Sequence, residues 1–348
     1  MISKTKKYLV YGWVLFLFWS CSDDDAASPK DIYAFEKPAH FPDATYTFEN
    51  NPITKEGFEL GKKLFFDPIL SRDKSVSCNN CHQQSRAFAD SPLHPTSIGV
   101  DNRVGIRNAP PLANLAFMQE FFWDGGVTHL DFVPINAIES DVEMDETLVN
   151  VVKKLNEHDE YPLLFEKAFG VKEITSPFML HAISQFTAMM VSAGSRYDKY
   201  VLEGTALSNE EMAGMKLFEK KCATCHSGEL FSDFSYRNNG LNDSFGDLGR
   251  GRITEDEADH GKFRVPSLRN AELTAPYMHN ARFLTLEEVL DHYDGGMVDS
   301  PTLDPLFKDG DQVVGISLTT EEKTSIIAFI KTLTDRDFIA EPKFRNND

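Results

Sequence analysis

Apolar residues recur along the chain with helical spacing in several separate stretches, and strand-like alternation is scarce. From Thr54 to Phe66, Phe58, Leu60, Leu64 and Phe65 give a helix one apolar side. Between Pro177 and Leu202, the positions Leu180, Ile183, Phe186, Thr187, Met190 and Val191 predict a single long helix. Another helix is expected to start at Ser208, which with Glu211 forms a capping box. In such a box the hydroxyl takes a free amide of the first turn and the carboxylate returns to the cap's own amide. Thr285 to Tyr293 and Thr319 to Leu333 are the last helical stretches. The pattern predicts a mostly α fold with long loops. Two of the helices also share a short repeat, Gly61-Lys62-Lys63-Leu64-Phe65 and Gly214-Met215-Lys216-Leu217-Phe218.

Downstream of each copy of the repeat lies a cysteine pair. The chain has five cysteines, and all but Cys21 fall in C-x-x-C-H pentapeptides, Cys78-Asn79-Asn80-Cys81-His82 and Cys222-Ala223-Thr224-Cys225-His226. Cysteines three residues apart share one side of a helical turn, where each can bond a haem vinyl group, and the next residue sets an imidazole beneath the iron. Zinc ribbons separate their pairs by about 15–20 residues, far less than here. Disulfides or a thiol redox pair leave the histidine after each pair unexplained. Two covalent haem c groups are therefore expected, carried by two cytochrome c-like haem domains, residues 46–205 and 206–340.

The start of the chain is expected to be a processing signal. Three lysines precede the apolar run from Tyr8 to Trp19, which is too short for a typical membrane span. Ser20-Cys21 and an acidic run follow, a pattern that resembles bacterial lipoprotein signals. Residues 1–20 would then be removed, Cys21 would carry a lipid, and residues 21–45, rich in Pro, Ala and acids, would form a tether. The acidic run points to the outer membrane, on its periplasmic or outer face. Loss of those lysines would take the formal charge from −19 to −22. So negative a chain repels nucleic acid and suits a basic redox partner, although many acidic proteins are simply soluble. The Gly-rich stretch from Gly240 to Gly251 lacks the strand and helix of a phosphate loop.

Five further segments follow one another in the chain: Arg107-Asn108-Ala109-Pro110; Phe122-Trp123-Asp124-Gly125; Phe263-Arg264-Val265-Pro266-Ser267-Leu268-Arg269-Asn270; Thr274-Ala275-Pro276-Tyr277-Met278-His279; and Thr285-Leu286-Glu287-Glu288-Val289. With the two haem sites, these resemble the bacterial di-haem cytochrome c peroxidases and the related MauG-type enzymes, from about Tyr46 to Ile339. The resemblance implies a peroxidatic haem on His82 and an electron-relaying haem on His226. Trp123 would lie between them; it is the one tryptophan outside the leader, since the others are Trp13 and Trp19. Glu143 would be the acid–base group beside the peroxide, since cleavage takes a proton from one oxygen and returns it to the other. Asn108, with the carbonyls of Thr274 and Pro276, would hold Ca²⁺. Read without the resemblance, Trp123 is a core aromatic, Glu143 a solvated acid among Glu139, Asp141, Asp145 and Glu146, and the calcium set ordinary turn residues.

Three positions depart from the peroxidases. Val100 stands where they place a distal histidine, leaving only His94 as a nearby substitute. Val133 stands at a distal glutamine. Tyr293 aligns with the sixth ligand of the C-terminal haem, a methionine in the peroxidases and a tyrosine in the MauG type; Met278, Met297 or a plain core role for Tyr293 are the alternatives. The expected activity is reduction of hydrogen peroxide to water with electrons from a small cytochrome c or cupredoxin. The alternatives are a MauG-like oxidase acting on a protein or organic substrate, and a non-catalytic di-haem electron carrier. A homodimer is compatible with the sequence but not specified by it.

Overall fold

The stretches with helical spacing do form helices, and one of them is broken in two. The computed structural model describes residues 32–90, 96–309 and 313–346. The leader, Cys21, the first part of the tether and His94 lie outside the described residues. Helix α1 (Lys55–Phe66) starts at Thr54, whose hydroxyl accepts from the Gly57 amide at 3.0 Å. The first cysteine pair forms α2 (Cys78–Cys81). There follow α3 (Val133–Glu139), α4 (Leu148–Asn156), α5 (Tyr161–Phe169), α6 (Ser176–Ala188) and α7 (Arg196–Glu203). Helix α8 (Asn209–Lys221) opens with the Ser208–Glu211 capping box. Beyond it lie α9 (Gly251–Thr254), α10 (Leu286–Asp291), α11 (Thr320–Lys331) and α12 (Arg336–Ala340), α10 and α11 each with a Thr–Glu capping box. Two short antiparallel ladders interrupt the loops, β1 (Tyr236–Arg237) with β2 (Phe263–Arg264), and β3 (Lys308–Asp309) with β4 (Val313–Val314).

The helix predicted from Pro177 to Leu202 stops at Ala188 and resumes at Arg196. Polar tertiary contacts override the apolar spacing. The Asn114 side chain brackets the Ser192 backbone, accepting from its amide at 2.8 Å and donating to its carbonyl at 3.1 Å. Asp335 accepts from the Ser192 hydroxyl at 3.1 Å and the Gly194 amide at 2.8 Å. Ser195 then caps α7 in a box with Asp198. A backbone held from both sides in this way cannot also satisfy a helical ladder. At its other end, the Thr285–Tyr293 stretch leaves α10 through one π-helical turn, His292–Gly296.

The short sequence repeat marks a repeated packing unit. Helix α1 packs against α6, and α8 against α11. A methyl group added at Gly61 would overlap the Ala182 carbonyl oxygen of α6, and one at Gly214 the Ser325 carbonyl oxygen of α11. Each glycine therefore lets two helix backbones touch. One helical turn on, Phe65 meets Phe186 and Phe218 meets Phe329, both with ring centroids 5.1 Å apart. A third phenylalanine completes each set, Phe88 at 6.1 Å from Phe65 and Phe231 at 5.9 Å from Phe218. All six are buried.

Candidate functional site

Both third phenylalanines reach the cysteine pentapeptides through their carbonyls. The Nδ1 of His82 lies 2.9 Å from the Phe88 carbonyl oxygen, and the Nδ1 of His226 lies 3.2 Å from that of Phe231. A carbonyl only accepts, so Nδ1 carries the proton in each ring and the Nε2 lone pair is left for a metal. Burial keeps both imidazoles neutral, pushing His82 down to about 4 and lowering His226 as well. The His82 amide donates to the Cys78 carbonyl at 2.9 Å and the His226 amide to that of Cys222 at 3.0 Å, which closes each pentapeptide into a helical turn. None of these four cysteines is disulfide-bonded. Burial pushes the thiols of Cys78, Cys81 and Cys222 up to about 12 and raises Cys225, the opposite of what a thiol redox pair needs. Each site thus offers two thiols and a pre-oriented neutral imidazole, a set that fits a covalently held haem.

Glu143 lies beside the first pair, close enough for its charge to raise the thiols of Cys78 and Cys81. It follows α3 and is half-buried, and loss of water pushes its carboxyl up to about 7. Of the acids around it, Glu139 and Asp141 are exposed and Glu146 pairs with Lys154. The Glu143 backbone is fixed from behind: its carbonyl accepts from the Val100 amide at 2.8 Å, and Gly99 lies so close that a methyl group there would overlap it. Val100 itself is fully buried in an apolar cluster with Leu64, Leu70 and Ile138. Val133 opens α3 and packs on the Phe-rich core. A cleft of about 460 Å³, lined by Asn80, Cys81, Ile98 and Gly99 among others, opens next to this pair.

Around the second pair lies a cavity of about 450 Å³, on whose wall stand Cys222, Cys225, His226, Trp123, Met278 and Tyr293. Burial raises the Tyr293 phenol, opposed by a hydrogen bond from Asn239. Asn239 also donates to the Met278 sulfur at 3.4 Å. Met297 does not line the cavity; it is buried with Leu303 and Phe307. Trp123 is buried and its indole N–H donates to the Asn108 carbonyl at 2.8 Å. The Asn108 amide in turn reaches the carbonyls of Pro276 at 2.6 Å and Met278 at 3.4 Å. Turned to present its oxygen, the same amide would add to those carbonyls a hard oxygen set suited to Ca²⁺. Among the described residues no hydrogen bond joins Thr274 to this group.

A family model for di-haem cytochrome c peroxidases matches residues 55–206. Over 313 residues the chain is 34% identical to the methylamine utilization protein MauG of Methylorubrum extorquens, covering 88% of this chain and 86% of that one. It is 35% identical over 290 residues to the cytochrome c551 peroxidase of Nitrosomonas europaea, covering 81% of each. The chain belongs to the di-haem cytochrome c peroxidase family. A crystal structure of a MauG-like protein associated with microbial copper homeostasis matches with a TM-score of 0.82 at 32% identity, covering 90% of this chain and 99% of that one. As a member of this family, the chain is an oxidoreductase with two c-type haems.

In this di-haem peroxidase several residues that position the sites are not evident from sequence spacing. Asn80, inside the first pentapeptide, accepts from the Ser77 amide at 3.0 Å and the Ser77 hydroxyl at 2.9 Å, capping the haem-binding turn. The S-x-x-N spacing was the available signal, one residue type away from the usual box. Arg269 donates to both oxygens of Asp198, each at 2.9 Å, and so ties the Phe263–Asn270 segment to α7. No local pattern marks that pair, since its members lie 71 residues apart. Among the described residues no helix is long and apolar enough to cross a membrane.

Proposed function

We propose that this protein reduces hydrogen peroxide to water in its N-terminal half (46–205), with electrons that enter through its C-terminal half (206–340). The observation that carries the reading is Glu143, a half-buried carboxyl beside Cys78 and Cys81 with a pKa near 7. At neutral pH such a group is present in both forms, so it can accept a proton from one peroxide oxygen and return it to the departing one. The haems supply the one-electron chemistry. His82 and His226 would each hold a haem iron through Nε2, with the ring fixed by a phenylalanine carbonyl. Val100 carries no ligating atom, so unless His94 supplies one, a haem held by His82 would keep a coordination position open to peroxide. Trp123, buried on the wall of the C-terminal cavity, is the residue for electron passage between the halves.

Tyr293 is the sixth ligand we favour at the C-terminal haem, with Met278 as its rival across Asn239. Ca²⁺ at Asn108 and the carbonyls of Thr274 and Pro276 would stiffen the boundary between the halves. The chain would be held at the outer membrane, periplasmic or surface-facing, by a lipid on Cys21, and its acidity suits a basic cytochrome c or cupredoxin as donor. A MauG-like oxidation of a protein or organic substrate is the second reading, favoured by the half-buried Tyr293 on the C-terminal cavity wall. Turnover of peroxide with reduced cytochrome c, in wild type and Glu143→Gln, tests the first reading. Rapid turnover that collapses in the variant supports it; an oxidised state that persists after peroxide without turnover would move the assignment to the second.

A further inference from the structure

Two arginines of the segment Phe263–Asn270 are buried, and their charges are met in opposite ways. Arg269 has the bidentate pair with Asp198, a third bond from Nε to the Glu229 carbonyl at 2.7 Å, and 2% exposure. Arg264 is 7% exposed, and its side chain makes one hydrogen bond, from Nε to the Phe122 carbonyl at 3.2 Å. No ion pair among the described residues includes it. The carboxylate whose charge it feels, Glu120, is already engaged by the Tyr236 hydroxyl at 2.7 Å and by Arg250 at 3.2 Å. A guanidinium carries five N–H donors in a rigid fork and keeps its charge at neutral pH, so a buried one calls for an anion.

The anion must come from the cavity. Arg264 lines the space around Cys222, Cys225 and His226, and no Asp or Glu stands on that wall. The other cations there have partners or water: Arg237 pairs with Asp233 and Asp304, Lys221 with Glu322, and Lys220 is exposed. We propose that Arg264 binds a propionate carboxylate of the C-terminal haem and fixes that haem against the Trp123 segment. The backbone supplies the second half of this role. The Arg264 amide donates to the Trp123 carbonyl at 2.8 Å, next to the Phe122 carbonyl that takes Nε. Fork geometry suits a carboxylate, and an arginine paired with it sets a positive charge near the ring edge. That charge offsets the propionate, favours the reduced iron and raises the potential at which this haem accepts an electron.

The inference rests on haem attachment at Cys222 and Cys225, and is independent of Glu143. The test uses the full-length di-haem protein with Arg264→Gln and Arg264→Lys. Haem content by the pyridine haemochrome assay comes first: two haems per chain show that both sites are loaded, and one per chain in wild type would refute the attachment on which the inference rests. Arg264→Gln with two haems should then show a lower midpoint potential at the C-terminal haem, an unchanged one at the N-terminal haem, and substantial recovery in Arg264→Lys. Should the Gln variant fail to mature, the resonance Raman propionate bending band decides, and it should shift between wild type and Arg264→Lys. Potentials equal to wild type in a fully loaded Gln variant, equal shifts in Gln and Lys, or a Raman band unmoved by the Lys change would overturn the proposal.

Discussion

Beside Cys78 and Cys81 stands a carboxyl, Glu143, poised near neutrality by burial. Around Cys222 and Cys225 the cavity wall has a phenol, a thioether and an indole, and no carboxylate. Behind both, the framework is the same: a glycine that brings two helices together, three phenylalanines, and a histidine whose Nδ1 is held by the carbonyl of the third. The repeated part is what any covalent haem needs, a close-packed support and an oriented ligand. The part that differs decides what an iron can meet, an ionisable carboxyl on one side and, on the other, a wall of aromatic, thioether and cationic side chains without a carboxylate. A shared framework therefore says nothing of the division of labour between the two sites, and a few side chains facing the iron say nearly all of it.

Changing those few side chains should break the asymmetry most strongly. Glu143→Gln removes a proton acceptor while keeping shape, and peroxide turnover should fall by about 10²–10⁴, the usual worth of a general acid–base group. Haem content by absorbance should not change. Gly99→Ala comes next, since the added methyl group must displace the Glu143 backbone. Misplacement of about 1 Å can cost around 100-fold, and steady-state kinetics should show a loss of up to that size, with both haems still attached.

Much of this contrast was legible in the sequence, and the illegible part has a physical pattern. The pentapeptides, the Ser208 cap and the glycine repeat are local, so each could be read from residues a few positions apart. The break after Ala188 was not, because the groups that hold Ser192 and Gly194 are Asn114 and Asp335, about 80 and 140 residues away. Tyr293 and Met278 illustrate the same limit. Tyr293 ends a predicted helical stretch, yet only the fold sets it with Met278 on one cavity wall and leaves Met297 off that wall. Arg264 and Arg269 look equivalent in one segment, and only the distant Asp198 tells them apart.

Two smaller effects sharpen the shared side of the comparison. Gly61→Ala and Gly214→Ala should each overpack a helix pair and cost about 1–3 kcal/mol, lowering Tm by several degrees in calorimetry. If the framework is truly repeated, the two losses should be similar. Smallest of all is Met297→Leu, a volume-conserving change at a buried residue that does not itself line the haem cavity. The absorption and magnetic circular dichroism bands of the C-terminal haem should be unchanged by it, whereas Tyr293→Phe or Met278→Leu should alter them, according to which is the ligand.

The asymmetry itself is tested most directly by the pH dependence of the second-order reaction with hydrogen peroxide, followed by stopped flow in wild type and Glu143→Gln. Burial raises this carboxyl from its ordinary 4.5 to about 7, and only its ionised form can accept the peroxide proton. The wild-type rate constant should therefore rise with pH through about 7 and level off above it, while the variant is slow and flat over the same range. A wild-type limb near 7 that survives unchanged in Glu143→Gln would contradict the account and place the proton-transfer group elsewhere.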